Sequence, residues 1–476
     1  MKKFILLTIF SLVLSSCGGS GGNSEPSLKL GTTPLPILKP ELVASFNEDL
    51  QGYNEACCYL FKAGILADVD DDGTNEFVFT FTSYPNQISL PIYVFGHKKD
   101  SFNLTNSIFK GNIPTVKHNE YIFYSDINND GRKDLIFSEA GLDRHPWTGA
   151  QISVALNQGS YFSKLDLPET QNRNNPVVVM PVVDSKQNQI LIADMNTTNY
   201  TGSGLVWSWK DNKLVPSPNP IQNWLSEKLY NTASMSNADF NNDGYQDLLL
   251  GSNGYSKTNS IIYGTSQGLT GNRNVTLPSG PFEEGGLQSF TTGSDVSWKS
   301  ATILSVAIDT NKDAKTDIVN VGQEVFWDKD KKEGSYGKSW LSVLENIDGY
   351  KFTVKQQIDL GPWFYNNMIP FDVNKDGYMD IIGLRQSSPI CTTNCNIFST
   401  VFFINDKTGK FNVIEADLIL PDLITKNEAQ NSANLVIPLQ YNTDHVLALQ
   451  IISNWSRKAV TVNLFKIPLT TFTNLK

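Results

Sequence analysis

Five stretches of the chain repeat one acidic pattern of nine residues. They read Asp68-Val-Asp70-Asp-Asp72-Gly73-Thr74-Asn-Glu76, Asp126-Ile-Asn128-Asn-Asp130-Gly131-Arg132-Lys-Asp134, Asp239-Phe-Asn241-Asn-Asp243-Gly244-Tyr245-Gln-Asp247, Asp309-Thr-Asn311-Lys-Asp313-Ala314-Lys315-Thr-Asp317 and Asp372-Val-Asn374-Lys-Asp376-Gly377-Tyr378-Met-Asp380. Oxygen-bearing side chains stand at positions 1, 3, 5 and 9, and four of the five copies have Gly at position 6. Hard divalent cations need this chemistry. Calcium takes 6–8 oxygens, and a glycine allows the sharp turn that folds them inward. The carbonyl of position 7 (Thr74, Arg132, Tyr245, Lys315, Tyr378) would add a backbone oxygen. An EF-hand would instead place Glu at position 12 between two helices. The pattern therefore predicts Ca2+ in up to five sites. Ala314 must tolerate the backbone angle that glycine serves elsewhere.

The elements that must carry these loops follow from what flanks them. Each loop runs into a short apolar segment, such as Phe77-Val-Phe, Leu135-Ile-Phe or Leu248-Leu-Leu, which suits a buried strand. The wide gap between the second and third copies leaves room for a worn unit. Val182–Ile192 fits there, with Asp184 as its remaining first Asp, and Leu435–Leu449 reads as a second worn unit. A later landmark in each unit is a Gly-bearing turn: Asn157-Gln-Gly-Ser-Tyr-Phe162, Asn346-Ile-Asp-Gly-Tyr-Lys-Phe352, Asn405-Asp-Lys-Thr-Gly-Lys-Phe411, and Ser260–Leu269 in the fourth unit. Each unit thus reads as four short strands. The expectation is an all-β, seven-bladed β-propeller of four-stranded blades, with the loops between strands 1 and 2 and with little helix.

The loops together with the Gly-turn strands resemble the FG-GAP/VCBS repeat family, the propeller of integrin α-subunits and of many bacterial secreted proteins. The resemblance spans roughly residues 50–460 and implies calcium in the loop between strands 1 and 2. Gly141-Leu-Asp143-Arg144-His145-Pro-Trp147-Thr-Gly149 also looks like a loop of bacterial VCBS-repeat proteins. Such a family specifies a fold far better than a function.

Residues 1–17 read as a lipoprotein signal: Lys2-Lys3, an apolar run to Leu14, and Leu14-Ser-Ser-Cys17 as a lipobox in which Cys17 is acylated. Residues 18–30 make a Gly/Ser-rich tether, and the propeller is expected over 31–476. Gly18 after the acylated cysteine resembles the outer-membrane sorting pattern, so the expected location is the cell envelope, with membrane contact through the lipid alone. The net charge of −10 is largely that of the loop carboxylates, which argues against a nucleic-acid partner. Cys57, Cys58, Cys391 and Cys395 are candidate disulfide partners with three possible pairings. The four histidines are far apart in sequence, and no nucleophile, zinc-protease or phosphate-loop motif is present. Asp143, Arg144, His145 and Trp147 form the candidate ligand loop, on the face away from the acidic loops. Trp207-Ser-Trp209 sets two rings on one strand face, for core packing or for stacking on a sugar. These features favour a non-catalytic binding or scaffold module for a protein or glycan. The alternative is a polysaccharide-lyase-like enzyme using the ligand-face loops.

Overall fold

A computed structural model describes residues 39–49, 56–85, 88–98, 101–140, 151–167, 173–196, 201–221, 232–252, 259–278, 296–328, 333–361, 363–387, 398–421, 423, 432–454 and 459–475. A first strand, β1 (Glu41–Asp49), precedes seven antiparallel blades. Blade 1 is β2 (Ala56–Ala67), β3 (Glu76–Pro85), β5 (Tyr93–Lys98) and β6 (Ser101–Asn103), with the short β4 (Leu90–Pro91) inside it. A turn of helix, α1 (Thr105–Phe109), and β7 (Thr115–Val116), which pairs with β4, lead onward. Blade 2 is β8 (Asn119–Ser125), β9 (Asp134–Glu139), β10 (Ile152–Asn157) and β11 (Phe162–Asp166). Blade 3 is β12 (Arg173–Met180), β13 (Gln189–Asn196), β14 (Thr201–Lys210) and β15 (Lys213–Ser217). Blade 4 is β16 (Thr232–Ala238), β17 (Asp247–Ser252), β18 (Ser260–Thr265) and β19 (Gly268–Thr276). Blade 5 is β20 (Val296–Ile308), β21 (Asp317–Asp328), β22 (Glu333–Asn346) and β23 (Phe352–Gly361). Blade 6 is β24 (Trp363–Phe371), β25 (Asp380–Ser387), β26 (Phe398–Asn405) and β27 (Phe411–Glu415), followed by α2 (Ala416–Ile419). Blade 7 is β28 (Ser432–Tyr441), β29 (His445–Asn454) and β30 (Ala459–Pro468), then α3 (Leu469–Thr473).

The seventh blade takes its fourth strand from the other end of the chain. β1 runs antiparallel to β30, from Glu41 opposite Lys466 to Asp49 opposite Ala459. The ring is therefore closed by a strand contributed by the N-terminal side, which the repeat spacing alone does not reveal. Blade 7 also lies one row out. Its β28 pairs in parallel with β26 at Phe398–Ala433 and Ser399–Asn434. That leaves β2 packed directly on β24, where Asn367 Nδ2 donates to the Gly64 carbonyl at 2.7 Å.

Each sheet buries both faces against neighbouring blades, so its second strand is a continuous apolar run rather than an alternating one. Phe77, Val78 and Phe79 are wholly buried, as are Leu135, Ile136 and Phe137. The apolar cores lie between blades. One joins blades 1 and 2 through Val78, Val94, Leu135 and Phe162. Another joins blades 2 and 3, with Trp207 and Trp209 packed against it, which accords with a core-packing role for that pair. The largest unites blades 6, 7 and 1 around Phe79, Phe402 and Leu449. Helix is confined to the three short segments among the described residues, and none is long and apolar enough to cross a membrane.

Candidate functional site

The five acidic segments occupy the connection between strands 1 and 2 of blades 1, 2, 4, 5 and 6, and position 9 opens strand 2 in each. One geometry recurs. The position-1 carboxylate accepts from the N–H groups of positions 5 and 6: Asp68 from Asp72 at 3.0 Å and Gly73 at 2.9 Å, Asp239 from Asp243 at 3.1 Å and Gly244 at 2.8 Å. Asp126, Asp309 and Asp372 do the same. Oδ1 of position 5 accepts from the N–H of position 7 in all five, Thr74, Arg132, Tyr245, Lys315 and Tyr378. The Asn at position 3 (Asn128, Asn241, Asn311, Asn374) accepts from the position-5 N–H. These bonds curl the backbone through left-handed angles at positions 4 and 6. Position 6 has φ of 84–87° at the four glycines and 64° at Ala314. A left-handed alanine costs roughly 1 kcal/mol, part of which glycine returns through unfolded-chain entropy. Ala314→Gly is therefore expected to raise stability by about 0.5 kcal/mol, read as a shift in the urea midpoint; a loss of stability would show that the turn holds alanine without strain.

Position 9 is buried in every loop and ties two levels of structure together. One of its oxygens accepts the position-2 N–H: Val69 to Glu76, Ile127 to Asp134, Phe240 to Asp247, Thr310 to Asp317, Val373 to Asp380. In four blades the other oxygen accepts an N–H from the end of strand 3. The donors are Asn157 at 2.8 Å, Gly264 at 2.8 Å, Asn346 at 2.8 Å and Asn405 at 2.7 Å. Burial pushes these carboxyls up against the pull of those bonds, with the neighbouring loop carboxylates adding to the rise: Asp134 to about 6, Asp247 and Asp380 to about 7, and Asp317 upward. Glu76 is pushed up to about 8, first by burial, while the Val69 N–H opposes and Asp70, Asp72 and Asp68 repel.

The donor sets differ in how well they fit a cation. Oxygen atoms of Asp68, Asp70 and Glu76 all lie within 4.8 Å of one another, the one such trio of acidic groups found among the described residues. A hard divalent cation fits it, since three clustered carboxylates repel one another until a counter-charge sits between them. The other four loops offer three carboxylates and an Asn oxygen. In three of these a side-chain cation stands on position 5: Arg132 Nη2 at 2.5 Å from Asp130, Lys315 Nζ at 3.6 Å from Asp313, and Lys407 Nζ at 3.3 Å from Asp376.

Blade 3 corrects the sequence reading. Its connection is as long as the others, but Gln189 takes the position-9 place and accepts from Val182 N–H at 2.5 Å. Asp184 therefore stands at position 4 rather than position 1, because strand β12 ends at Met180, earlier than the apolar run suggests. Blade 7 has only a tight turn, closed by Asn442 N–H to the His445 carbonyl at 2.8 Å.

The repeat spacing missed a second set of residues that lock the loops to their neighbours. A carbonyl at position 1 or 2 of each loop accepts from the blade that follows. Tyr124 OH reaches the Asp68 carbonyl at 2.6 Å, Asn188 Nδ2 the Asp126 carbonyl at 3.0 Å, and Leu269 N–H the Val182 carbonyl at 2.8 Å. Asn346 Nδ2 reaches the Phe240 carbonyl and Asn405 Nδ2 the Thr310 carbonyl, both at 2.7 Å, and Tyr441 OH bonds the Val373 carbonyl. For blades 5 and 6 the signal was present as the Asn that opens the Gly turn, Asn346 and Asn405. The ligand-loop residues Asp143, Arg144, His145 and Trp147, the acylation site Cys17, the cysteines 391 and 395, and the side chains of Cys57 and Cys58 lie outside what the structure describes.

Residues 231–269 match the family model described as FG-GAP repeat, a span that holds the Asp239–Asp247 loop. No curated protein matches the chain. Among solved structures, the chain is similar to the rhamnogalacturonan lyase YesW, at 11% identity and a TM-score of 0.37, covering 90% of this chain and 74% of that one. A rhamnogalacturonan lyase of Bacillus licheniformis gives 10% identity and a TM-score of 0.38, over 85% and 71%. The Dos1 propeller gives 10% identity and a TM-score of 0.39, over 90% and 95%.

Proposed function

We propose that this chain, an FG-GAP repeat β-propeller, is a calcium-stiffened, lipid-anchored binding module of the cell envelope that engages a protein or glycan without transforming it. The observation that carries the reading is the repeated loop geometry. Position 1 bonds two backbone N–H groups in every loop and so builds the turn. Position 9 ties that turn to the rest of its blade. A bound cation would stiffen the propeller rather than sit at a reaction centre. Asp68, Asp70 and Glu76 are the residues best arranged to hold it. Calcium supplies charge neutralisation there; the chain supplies the turn, the buried carboxylate and the ties to the next blade. Acylation at Cys17 supplies the membrane contact, and the tether after it gives the propeller reach.

Calcium at about 100 times its dissociation constant stabilises by about 2.7 kcal/mol per site. Titration calorimetry on the full chain should show saturable Ca2+ uptake, and the melting temperature should fall on addition of EDTA. Asp70→Asn should weaken the tightest site. A melting temperature indifferent to EDTA would end the calcium reading. For the partner, retention on a panel of acidic and neutral polysaccharides, with chain length scored in the same samples, separates the classes. Retention without shortening marks a glycan binder. Shortened chains would replace the binding reading with the lyase-like one.

A further inference from the structure

A second ring runs inside the loops. The innermost strand of every blade carries extra residues against its partner strand shortly before the connection to strand 2. They are Lys62 in β2, Glu120 in β8, one within 175–176 in β12, Ala233 in β16, residues within 301–303 in β20, Asn366 in β24 and Leu439 in β28. In the first six blades bulge and loop keep one offset, as Lys62 does to Asp68, Glu120 to Asp126 and Asn366 to Asp372. The bulges therefore stand at one level around the axis. An innermost strand is paired only on its outer side within the blade, and bulges commonly re-aim a side chain at a site.

Three of these residues, Lys62, Glu120 and Asn366, are polar and come from adjacent blades, because the outward position of blade 7 brings β24 against β2. Lys62 Nζ lies 2.9 Å from Glu120 Oε2, across the interface of blades 1 and 2, and both side chains keep about a sixth of their surface exposed. Glu120 Oε1 is 2.8 Å from His118 Nε2. His118 is wholly buried, and its Nδ1 is 3.0 Å from Thr82 Oγ1. The Nδ2 of Asn366 is a buried donor with no hydrogen-bond partner. Donors in such a place are ordinarily satisfied.

We propose that this level of the inner strands binds a small organic carboxylate, held by the Lys62 ammonium and the Asn366 amide, with Glu120 standing in for it when no ligand is present. A carboxylate has two oxygens to share between a charged and a neutral donor, and charge-assisted bonds of this kind are the strong ones. Glu120 can release Lys62 without being stranded, because His118 holds its other oxygen. A purely structural ion pair between blades, worth little when partly exposed, predicts no uptake at all. The proposal does not depend on calcium in the loops or on the identity of the partner.

The test is calorimetry on the full chain with sodium D-galacturonate and sodium L-glutamate as two sources of carboxylate, and D-galactose as the uncharged control. Saturable binding of either carboxylate, with none of galactose, is the expected result; which one binds tells a uronate source from an amino-acid source. Glu120→Gln removes the internal competitor and should tighten binding roughly ten-fold, while Lys62→Met should weaken it at least ten-fold. Near-UV circular dichroism checks that both variants fold. If Lys62→Met misfolds, Asn366→Ala serves in its place, with several-fold weaker binding expected. Three results would overturn the proposal: galactose binding as well as galacturonate does, folded wild type and Glu120→Gln both failing to bind either carboxylate, or a folded Lys62→Met or Asn366→Ala chain with wild-type affinity.

Discussion

A chain lacking Lys39–Asp49 should unfold at a markedly lower urea concentration than the full chain, by the equivalent of about 5 kcal/mol. The deletion removes β1, whose register with β30 runs from Glu41 to Asp49. The lost backbone bonds are worth ~0.5–1.5 kcal/mol each. Phe46 is lost with them. It packs against the core shared by blades 6, 7 and 1 and meets the Phe95 ring edge-on at 5.4 Å, so it ties the seventh blade to the first as well as to its own sheet. Burying such a ring contributes about 1.5–3 kcal/mol. The total is a large share of the 5–15 kcal/mol that typically holds a native protein together. The deletion also uncovers the edge of β30, a template for pairing with other chains, so aggregation should accompany the loss. Phe46→Ala alone should cost about 2 kcal/mol and leave the edge covered. An unchanged urea midpoint in the truncated chain would show that blade 7 closes without its fourth strand.

Asn405→Ala should cost about 3–4 kcal/mol, far more than the ordinary effect of a polar-to-alanine change. Its Nδ2 donates to the Thr310 carbonyl of blade 5 at 2.7 Å and to the Met379 carbonyl of its own loop at 3.2 Å. Its Oδ1 accepts from Lys407 N–H at 2.9 Å. Truncation leaves these groups without partners, some of them in a buried place, and an unmet buried group costs ~1–3 kcal/mol. Asn157 is the internal comparison. Its Nδ2 bonds the Lys133 carbonyl of its own blade, while Asn188 of blade 3 serves the carbonyl of the preceding loop. Asn157→Ala should therefore cost about half as much, and the same urea series measures both. Equal costs would mean that the bond across blades adds nothing.

Much of this was legible because repetition turns weak local signals into a strong one. An acidic turn followed by a few apolar residues is ambiguous once; five such turns in register specify strands 1 and 2 of five blades. The backbone angle at position 6 was legible too, since glycine in four copies announced the strain that Ala314 bears at φ 64°. Blade 3 misled for the same reason the others informed: Asp184, the only acidic residue between its first two strands, stood out as the first position, whereas the structural constant is the acceptor at position 9, here the amide of Gln189. The Asn of each Gly turn stood in plain view as a landmark. The role of Asn346 and Asn405 was not legible, because each also serves a carbonyl of another blade and sequence spacing says nothing about what lies beside a repeat. β1 escaped for a related reason. Its partner is at the far end of the chain, joined by a contact such as Thr461 Oγ1 to Asn47 Oδ1 that spans 414 residues.

That separation sets an order of events as the chain emerges, N-terminal side first. Each loop presents its carbonyl to the blade that follows, so blades 1 to 6 each gain a partner as the next one emerges. β1 is made before all of them and has nothing to pair with until β30 appears. At ~5–20 residues per second, that interval is roughly 20–80 s. The strand that shuts the ring must therefore pass the whole of synthesis as an unpaired leader, and its acidic and polar residues (Glu41, Asn47, Glu48, Asp49) keep it soluble through the wait.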